Sequence, residues 1–330
     1  MTNTDTIKPK VWVELNLHPE ALQKLSAIAD VQVASACDHT NLPGAQVAVI
    51  GSSTVDDAFL DIAGPGLKMV VRHGIGYDKV QVPVASARGV LAANTPDGPT
   101  EGTAEHAVAM LLAVAKGVAR ADRILHTTGD WDGARTRGIE LKGRNLGLVG
   151  YGRIGRRVGE ICGLGFGMNV TFLDPFMPDD TPQPAYVRRV DSLDELLETA
   201  DCLSLHVGLS PQTHQMIAEP QLRAMKAGAI LVNCSRGEIV DQAALLQVLK
   251  SGHLRGAALD VFDLEPSPPN NPLYKMDNVV VSPHMASATD ESSFRSSSGV
   301  VLQIIQLLNG IKPTWLIDPS VWPGRSLGTS

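Results

Sequence analysis

The chain has 330 residues, a formal net charge of −7 and a pI near 5.7, and 44% of its residues are hydrophobic. This length suffices for two domains with sizeable cores, and no apolar run approaches the roughly 18 residues that span a bilayer. The acidic balance argues against nucleic acid as the main partner, because phosphate contacts require a basic surface.

The polar N-terminus, MTNTDTIKPK, lacks the apolar segment of a signal peptide, and a cytoplasmic protein without membrane contact is therefore expected. The four cysteines are scattered without the spacing of metal ligands. Buried free thiols, and no metal site, are the corresponding expectations.

Strand-like and helix-like segments alternate along the chain, which predicts parallel sheets with helical crossovers. In the first hundred residues the predicted strands are 11–15, 31–33, 47–50 and 67–71, with a helix at 19–28. Helical spacing of apolar residues over 101–125 predicts one long helix. Later strands are predicted at 146–149, 169–173, 202–205, 229–232, 257–261 and 279–281, with helices opening at 156 and covering 193–198, 219–226, 242–251 and 289–308.

The stretch NLGLVGYGRIG, residues 145–155, carries the most informative motif. Gly150, Gly152 and Gly155 have G-x-G-x-x-G spacing after a strand and before a helix, which is the context of a dinucleotide fingerprint. Asp174 ends the next predicted strand, about 20 residues on, where an acid accepts hydrogen bonds from the adenosine ribose. A carboxylate there repels a 2′-phosphate, and the next two residues bring no cation, so NAD is favoured over NADP.

Three polar clusters, NCSRG, DVFDLE and SPH, follow predicted strands in the second half. Ligands of doubly wound folds bind at the carboxyl ends of the strands. The clusters contain Arg236, Glu265 and His284. Hydride transfer to an oxo acid uses an acid–base group, for which histidine is suited, a carboxylate that orients it, and a guanidinium that anchors the substrate. Each residue alone could be a surface turn or loop residue, but their joint placement favours catalysis.

With these motifs the chain resembles the D-isomer-specific 2-hydroxyacid dehydrogenase family over nearly its whole length. The matching stretches are RHGIGYD (72–78), PTEGTAEHAV (99–108), GLVGYGRIGRRVG (147–159), MKAGAILVNCSRGEIVD (225–241), ALDVFDLEP (258–266) and SPHMASAT (282–289). The resemblance implies a Rossmann NAD domain, residues 101–289, inserted into a flavodoxin-like substrate domain, residues 1–100 and 290–330. It also implies a homodimer formed through the NAD domain.

The resemblance assigns the site residue by residue. It implies that Arg236, Glu265 and His284 are the catalytic trio, with Glu265 paired to His284. The implied substrate-binding residues are Arg72, His73, Gly74, Ile75, Gly76 and Arg236. Among them, the backbone amides of Ile75 and Gly76 are expected to bind the substrate carboxylate. The implied cofactor contacts are Gly150, Gly152, Arg153, Ile154, Gly155, Asp174, Val207, Gly208, Thr213, Cys234, Ser235 and Asp260, the last near the nicotinamide carboxamide. The loop at Val207 and Gly208 departs from the family, which usually has a proline at the second of these positions.

The expected reaction is NAD-dependent interconversion of a small D-2-hydroxy acid and its 2-oxo acid, such as hydroxypyruvate or glyoxylate. Arg72 and His73 suggest a second anionic group on the substrate, such as phosphate or sulfonate. Gly51 weighs against this, since phosphoglycerate dehydrogenases often have an arginine there, and no regulatory domain is expected after residue 330. Charge from Arg135 and Arg137 of a neighbouring subunit is a further alternative.

Two other functions remain open on this fold. One is a nucleotide-sensing binding protein of the corepressor type, which would keep the same trio. The other is oxidation of formate or phosphite, for which a glutamine would be expected where Pro283 stands.

Overall fold

The computed structural model describes residues 8–322. They divide into two compact units: the first runs to Pro99 and resumes at Ala288, and the second is Thr100–Ser287. The substrate domain predicted from the sequence, residues 1–100 and 290–330, includes residues 1–7 and 323–330, which lie outside the described residues. Each helix between residues 8 and 322 is too short or insufficiently apolar to pass through a bilayer.

The regular elements alternate along the chain. The strands are β1 (Lys10–Val13), β2 (Asp30–Val33), β3 (Val47–Ile50), β4 (Met69–Arg72), β5 (Leu91–Asn94), β6 (Asn145–Val149), β7 (Asn169–Leu173), β8 (Val187–Arg189), β9 (Cys202–Leu205), β10 (Ile230–Asn233), β11 (Gly256–Leu259) and β12 (Val279–Val281). The helices are α1 (Pro19–Ile28), α2 (Asp57–Ala63), α3 (Val82–Ala87), α4 (Thr100–Lys116), α5 (Val118–Thr128), α6 (Trp131–Ala134), α7 (Arg153–Glu160), α8 (Leu193–Thr199), α9 (Glu219–Ala224), α10 (Gln242–Lys250) and α11 (Asp290–Leu308).

The first unit is built on a parallel sheet with strand order β2-β1-β3-β4-β5. Side chains alternate across it, so that Val11 and Val13 pack with α1 and α11 while Trp12 packs on the opposite face. Both faces are therefore buried, which is why these strands are apolar along their whole length. This strand order is the flavodoxin-like one.

The second unit is built on a parallel sheet with strand order β12-β11-β10-β9-β6-β7-β8. The chain starts in the middle at β6, builds outward to β8, and then returns to β9 on the other side of β6. A switch point therefore lies between β6 and β9, where dinucleotides bind in Rossmann folds. The predicted α/β class, with two doubly wound parallel sheets, is confirmed.

The predicted single helix over 101–125 is wrong, because the chain breaks between α4 and α5 at Gly117. This glycine has a φ of 70°, in the left-handed region that ends helices. A Cβ there would lie 2.4 Å from Cγ2 of Thr136, so the break also lets the following loop pack closely. The apolar periodicity continues across the break and conceals it.

Candidate active site

The turn between β6 and α7 holds the three fingerprint glycines. A Cβ on Gly150, whose φ is 89°, would lie 2.7 Å from the His206 carbonyl oxygen, and one on Gly155 would lie 2.2 Å from the Gly150 carbonyl oxygen. A Cβ on Gly152 would meet nothing within 4 Å. Gly152 is also the N-cap of α7 and supplies no capping side chain, although the first amides of a helix lack intrahelical partners. Open space before an uncapped helix start fits an approaching pyrophosphate.

Asp174 follows β7 directly and reaches back over the same turn. Its Oδ2 accepts a hydrogen bond from the Tyr151 backbone N–H at 2.9 Å, and its Oδ1 accepts one from the Phe176 N–H at 2.9 Å. Each carboxylate oxygen can accept a second bond, so capacity for ribose hydroxyls remains. The residues present therefore fit the adenosine end of NAD as well as its pyrophosphate.

The loop after β9, predicted to contact the cofactor, is closed on itself by Thr213. The Thr213 hydroxyl donates to the Gly208 carbonyl oxygen at 2.7 Å and accepts from the Ser210 N–H at 2.8 Å. These bonds constrain the loop at the position where the family's proline is missing. At the start of this loop, burial lowers the pKa of His206 to about 4, so its ring is neutral at pH 7.

Asn233, the last residue of β10, shapes the loop that carries Cys234, Ser235 and Arg236. Its Oδ1 accepts from the Ser235 hydroxyl at 2.7 Å and from the Ser235 N–H at 3.0 Å, and its Nδ2 donates to the Arg236 carbonyl oxygen at 2.8 Å. Burial raises the pKa of Cys234, so its side chain stays a thiol. The loop can thus present backbone and hydroxyl groups but no thiolate nucleophile.

His284 and Glu265 form a hydrogen-bonded pair, with 2.6 Å between Nδ1 and Oε2. A carboxylate only accepts, so the Nδ1 proton points at Glu265 and Nε2 is left to exchange a proton. Glu265 Oε1 accepts the Phe262 N–H at 3.0 Å. Burial alone would raise the pKa of Glu265, but the bonds from His284 and Phe262 and the charge of Arg236 lower it below its usual value. The trio lies beyond three adjacent strands, β10, β11 and β12.

The turn after β4, in the first unit, is held by residues near the end of β5. The Gly74 N–H donates to the Thr95 hydroxyl at 2.7 Å, and the Asn94 side chain donates to the Ile75 carbonyl oxygen at 2.8 Å. Within residues 8–322, no backbone carbonyl accepts a hydrogen bond from the amide of Ile75 or Gly76. Two consecutive amides, on a turn that Asn94 and Thr95 hold in place, could donate hydrogen bonds to a carboxylate.

Arg72 and His73 precede that turn. The Arg72 guanidinium donates to the His73 carbonyl oxygen, and His73 Nε2 lies 3.1 Å from the Ser297 hydroxyl on α11. Burial, together with the charge of Arg72, lowers the pKa of His73 to about 4. His73 is therefore a neutral hydrogen-bonding group at pH 7, and Arg72 carries the positive charge of this pair.

Asp260, predicted to contact the cofactor, is fully buried at 0% exposure. Its Oδ1 accepts from the Ser282 hydroxyl at 2.6 Å and from the Met285 N–H at 2.9 Å, and its Oδ2 accepts from the Ala286 N–H at 2.9 Å. His106 Nε2, on α4, lies 2.9 Å from the Ser282 hydroxyl. Within residues 8–322, no group of three or more His, Cys, Asp or Glu side chains could hold a metal ion.

Comparison with known proteins agrees with the nucleotide-binding fold described above. A family model described as "D-isomer specific 2-hydroxyacid dehydrogenase, NAD binding domain" matches residues 108–286. The chain belongs to the D-isomer specific 2-hydroxyacid dehydrogenase family. The resemblance drawn from the sequence motifs is thereby confirmed, as is NAD as the cofactor of the family's nucleotide domain.

Relatives within the family carry different names. The chain is 37% identical to a D-3-phosphoglycerate dehydrogenase of Methanocaldococcus jannaschii, over 97% of this chain and 61% of that protein. It is 43% identical to a glyoxylate reductase of Korarchaeum cryptofilum over 82% of each chain. The crystal structure of an NADPH-dependent glyoxylate/hydroxypyruvate reductase of Sinorhizobium meliloti, with NADP and malonate, superposes with a TM-score of 0.85 at 27% identity, covering 97% of this chain and 99% of that one. This chain thus spans about six-tenths of the phosphoglycerate dehydrogenase.

Sequence reasoning did not identify Asn233, Ser282 and His106, which form hydrogen bonds in the loops that carry the predicted site residues. Asn233 and Ser282 stood inside the NCSRG and SPH clusters, so their position at strand ends was a usable signal. His106 stood inside the PTEGTAEHAV match, but only the fold brings α4 to the loop after β12. The roles assigned to the other site residues stay predictions.

Proposed function

We propose that the protein transfers a hydride between NAD(H) and a small D-2-hydroxy acid or its 2-oxo acid, with Arg236, Glu265 and His284 as catalytic residues. The observation that carries this proposal is the 2.6 Å bond between His284 and Glu265. It leaves one ring nitrogen free to exchange a proton, and it occurs beside the charge of Arg236 in a family NAD-binding domain. This is the combination that carbonyl reduction needs.

In the direction of reduction, NADH held at the fingerprint turn would supply the hydride for C2 of the oxo acid. His284 donates the proton on Nε2 to the carbonyl oxygen, so that C=O becomes CH–OH, and it takes the proton back in oxidation. Glu265 holds the ring through Nδ1 and stays ionised near neutral pH because its pKa is lowered. Arg236 polarises the carbonyl and attracts the substrate carboxylate.

We assign the substrate carboxylate to the amides of Ile75 and Gly76, whose turn is held by Asn94 and Thr95. Small 2-oxo acids such as glyoxylate and hydroxypyruvate agree with the names of the glyoxylate reductase relatives. A second anionic group, as in a phosphorylated or sulfonated substrate, would interact with Arg72. Since His73 is neutral at pH 7, it would add a hydrogen bond and no charge.

A panel of 2-oxo acids tests the proposal, with NADH absorbance as the readout. Glyoxylate, hydroxypyruvate, phosphohydroxypyruvate and sulfopyruvate separate monoanionic from dianionic substrates. We expect turnover of at least one, and loss of turnover in His284→Ala. No turnover of any 2-oxo acid, with retained NADH binding, would instead support the nucleotide-sensing role.

The second-anion assignment has its own comparison, Arg72→Ala against Arg88→Ala. Arg88 is a matched arginine of the first unit that pairs with Asp57 and Asp61 at the surface. If the substrate is dianionic, Arg72→Ala should lower kcat/KM for it by about tenfold or more and spare monoanionic acids. Equal kcat/KM for both classes in Arg72→Ala and Arg88→Ala would refute the assignment.

We also propose that a second copy of the chain covers α5. This helix has no buried residue, and Val118 and Leu125 on it are 60% and 39% exposed. Trp131, which follows it, is 71% exposed. An apolar helix face of this kind is typical of a subunit interface. Trp131→Ser is expected to shift the mass measured by light scattering from dimer to monomer, and an unchanged mass at low micromolar concentration would contradict the proposal.

A further inference from the structure

The loop that carries His284 has an unusual backbone. His284 has a φ of 50°, which is the left-handed region that residues other than glycine rarely adopt. This conformation costs on the order of 1–2 kcal/mol, so the surrounding contacts must offset it. The bonds that fix the loop next to His284 therefore determine where its imidazole lies.

Those bonds come from one residue, Asp260. The His284 N–H donates to the Asp260 carbonyl oxygen at 2.7 Å. The next two amides, of Met285 and Ala286, donate to the two carboxylate oxygens of Asp260, each at 2.9 Å. Three consecutive amides, beginning at His284, thus converge on a single buried residue at the end of the neighbouring strand.

The carboxylate of Asp260 is itself oriented by a chain of hydrogen bonds. The Ser282 hydroxyl has one proton, and the acceptor nearest to it is Asp260 Oδ1, at 2.6 Å. Because the Ser282 hydroxyl donates its proton to Asp260, its oxygen acts as the acceptor for His106 Nε2, at 2.9 Å. His106 therefore carries a proton on Nε2 and donates it to the Ser282 oxygen, and the same Nε2 lies 3.5 Å from Asp260 Oδ1.

Electrostatics agree with this orientation. Burial alone would raise the pKa of Asp260, but the nearby His106 together with the bonds from Ser282 and the two loop amides lowers it below its usual value. Asp260 is thus an anion at neutral pH, and charge-assisted bonds to backbone amides are stronger than neutral ones. The bonds from Ser282, Met285 and Ala286 hold this buried carboxylate in one orientation.

We propose that Asp260 is a positioning residue for His284, and that His106 acts on it through Ser282. The structure links the three side chains into one chain of bonds, His106–Ser282–Asp260, which ends at the loop amides after His284. This inference rests on the proposed function, because it presumes that the position of the His284 ring governs proton transfer. It gives His106, on α4, a part in the reaction without contact to substrate or cofactor.

Kinetics of variants test the chain of bonds. Ser282→Ala and His106→Phe each break it, and we expect each to lower kcat about tenfold while the Kd for NADH, measured by fluorescence titration, changes less than about twofold. The double variant should lose about as much kcat as the more impaired of the two single variants, because both substitutions break the same chain. His106→Gln, whose amide can donate from a similar position, should recover most of the loss. Ser287→Ala removes an exposed hydroxyl from the same loop and serves as the control.

A second readout does not depend on turnover. In protein labelled with ¹⁵N-methionine, the Met285 amide reports its bond to Asp260 directly, and Met285→Leu identifies its signal. Ser282→Ala and His106→Phe should shift this signal, whereas Ser287→Ala should not. If the wild-type protein reduces no 2-oxo acid, the proposed function fails, but the Met285 signal still tests the positioning role.

Several results would overturn the inference. An unshifted Met285 signal in Ser282→Ala means that Asp260 is not oriented through Ser282. Additive losses of kcat in the double variant mean that His106 and Ser282 act separately. A Kd for NADH that rises in step with the fall in kcat places the effect at the cofactor and not at His284.

Discussion

Replacing Glu14 by glutamine is predicted to destabilise the first unit strongly, although Glu14 is absent from the proposed catalytic site. Glu14 follows β1, is 3% exposed, and accepts hydrogen bonds through both carboxylate oxygens. Its Oε2 accepts from the three consecutive amides of Gly51, Ser52 and Ser53, at 2.8, 2.8 and 2.9 Å. Its Oε1 accepts from the Ser53 hydroxyl at 2.7 Å and from the Cys37 amide at 2.7 Å.

The size of the effect follows from the pKa of Glu14. Burial raises this pKa, but the bonds from Ser53, Cys37 and Gly51 outweigh burial and lower it from 4.5 to about 2. That difference corresponds to about 3 kcal/mol of folding free energy at neutral pH. Because the pKa is lower in the folded state, the contribution is complete above about pH 4.5 and is lost as the pH falls toward 2. Near pH 3 about half of it should remain.

Urea unfolding followed by tryptophan fluorescence measures this contribution. Of the four tryptophans, Trp12, Trp315 and Trp322 lie in the first unit, so the signal reports mainly on the unit that contains Glu14. Glu20→Gln, at an exposed position on α1, is the matched control and should change the free energy of unfolding by less than about 0.5 kcal/mol. Glu14→Gln should lower it by about 3 kcal/mol at pH 7.

Two results would refute this reasoning. One is a loss in Glu14→Gln no larger than the loss in Glu20→Gln. The other is a gap between Glu14→Gln and wild type that stays constant from pH 7 to pH 3, because the carboxylate charge would then not be its source.

Three further predictions concern the proposed site. Gly150→Ala should lower the free energy of unfolding by about 1–3 kcal/mol, because the residue has a positive φ and its new Cβ would meet a backbone oxygen. Gly152→Ala should leave thermal unfolding unchanged and weaken NADH binding about tenfold or more, because the space there is open. Wild-type NADH affinity in Gly152→Ala would argue against a pyrophosphate at this turn. Glu265→Gln should lower kcat about a hundredfold or more with little change in the Kd for NADH, since it removes the anion that holds the His284 ring. Stopped-flow measurement of NADH oxidation would check this. A kcat within threefold of wild type would remove Glu265 from the mechanism. Asp174→Ala should reduce the ratio of kcat/KM for NADH over NADPH by about tenfold, and an unchanged ratio would contradict the ribose assignment.

The architecture could largely be predicted from the sequence, because buried parallel strands form apolar runs between helices. Elements with a weak pattern were missed: β5 ends in two alanines and an asparagine, and β8 contains two arginines in three residues. The break at Gly117 was missed for the opposite reason, since the apolar periodicity continues through it. Pattern reasoning detects repetition, and it fails where an element is too short to repeat or where a single residue interrupts the repeat.

The sequence allowed us to predict which residues follow the strand ends and form the site, but not how those residues bond to one another. Arg236, Glu265 and His284 each follow a strand, and the topology of a parallel sheet brings such residues to one edge. Their bonding could not be predicted, because it depends on loop conformations such as the left-handed backbone of His284. The contact of His106 with Ser282 spans 176 residues of sequence and has no local signal.

The same arrangement recurs at three strand ends, and it explains why an acid after a strand is hard to interpret from sequence. Glu14 follows β1 and accepts amides of the loop after β3, Asp174 follows β7 and accepts an amide of the loop after β6, and Asp260 follows β11 and accepts amides of the loop after β12. In each case the two strands are neighbours in the sheet. Amides at the carboxyl ends of parallel strands have no partner in the ladder, so a carboxylate on the adjacent strand satisfies them and fixes the loop. An acid at this position therefore has a structural role, which is to hold the neighbouring loop. Whether it also binds a ligand depends on the capacity that its oxygens retain, which at the partly exposed Asp174 is one further bond on each oxygen.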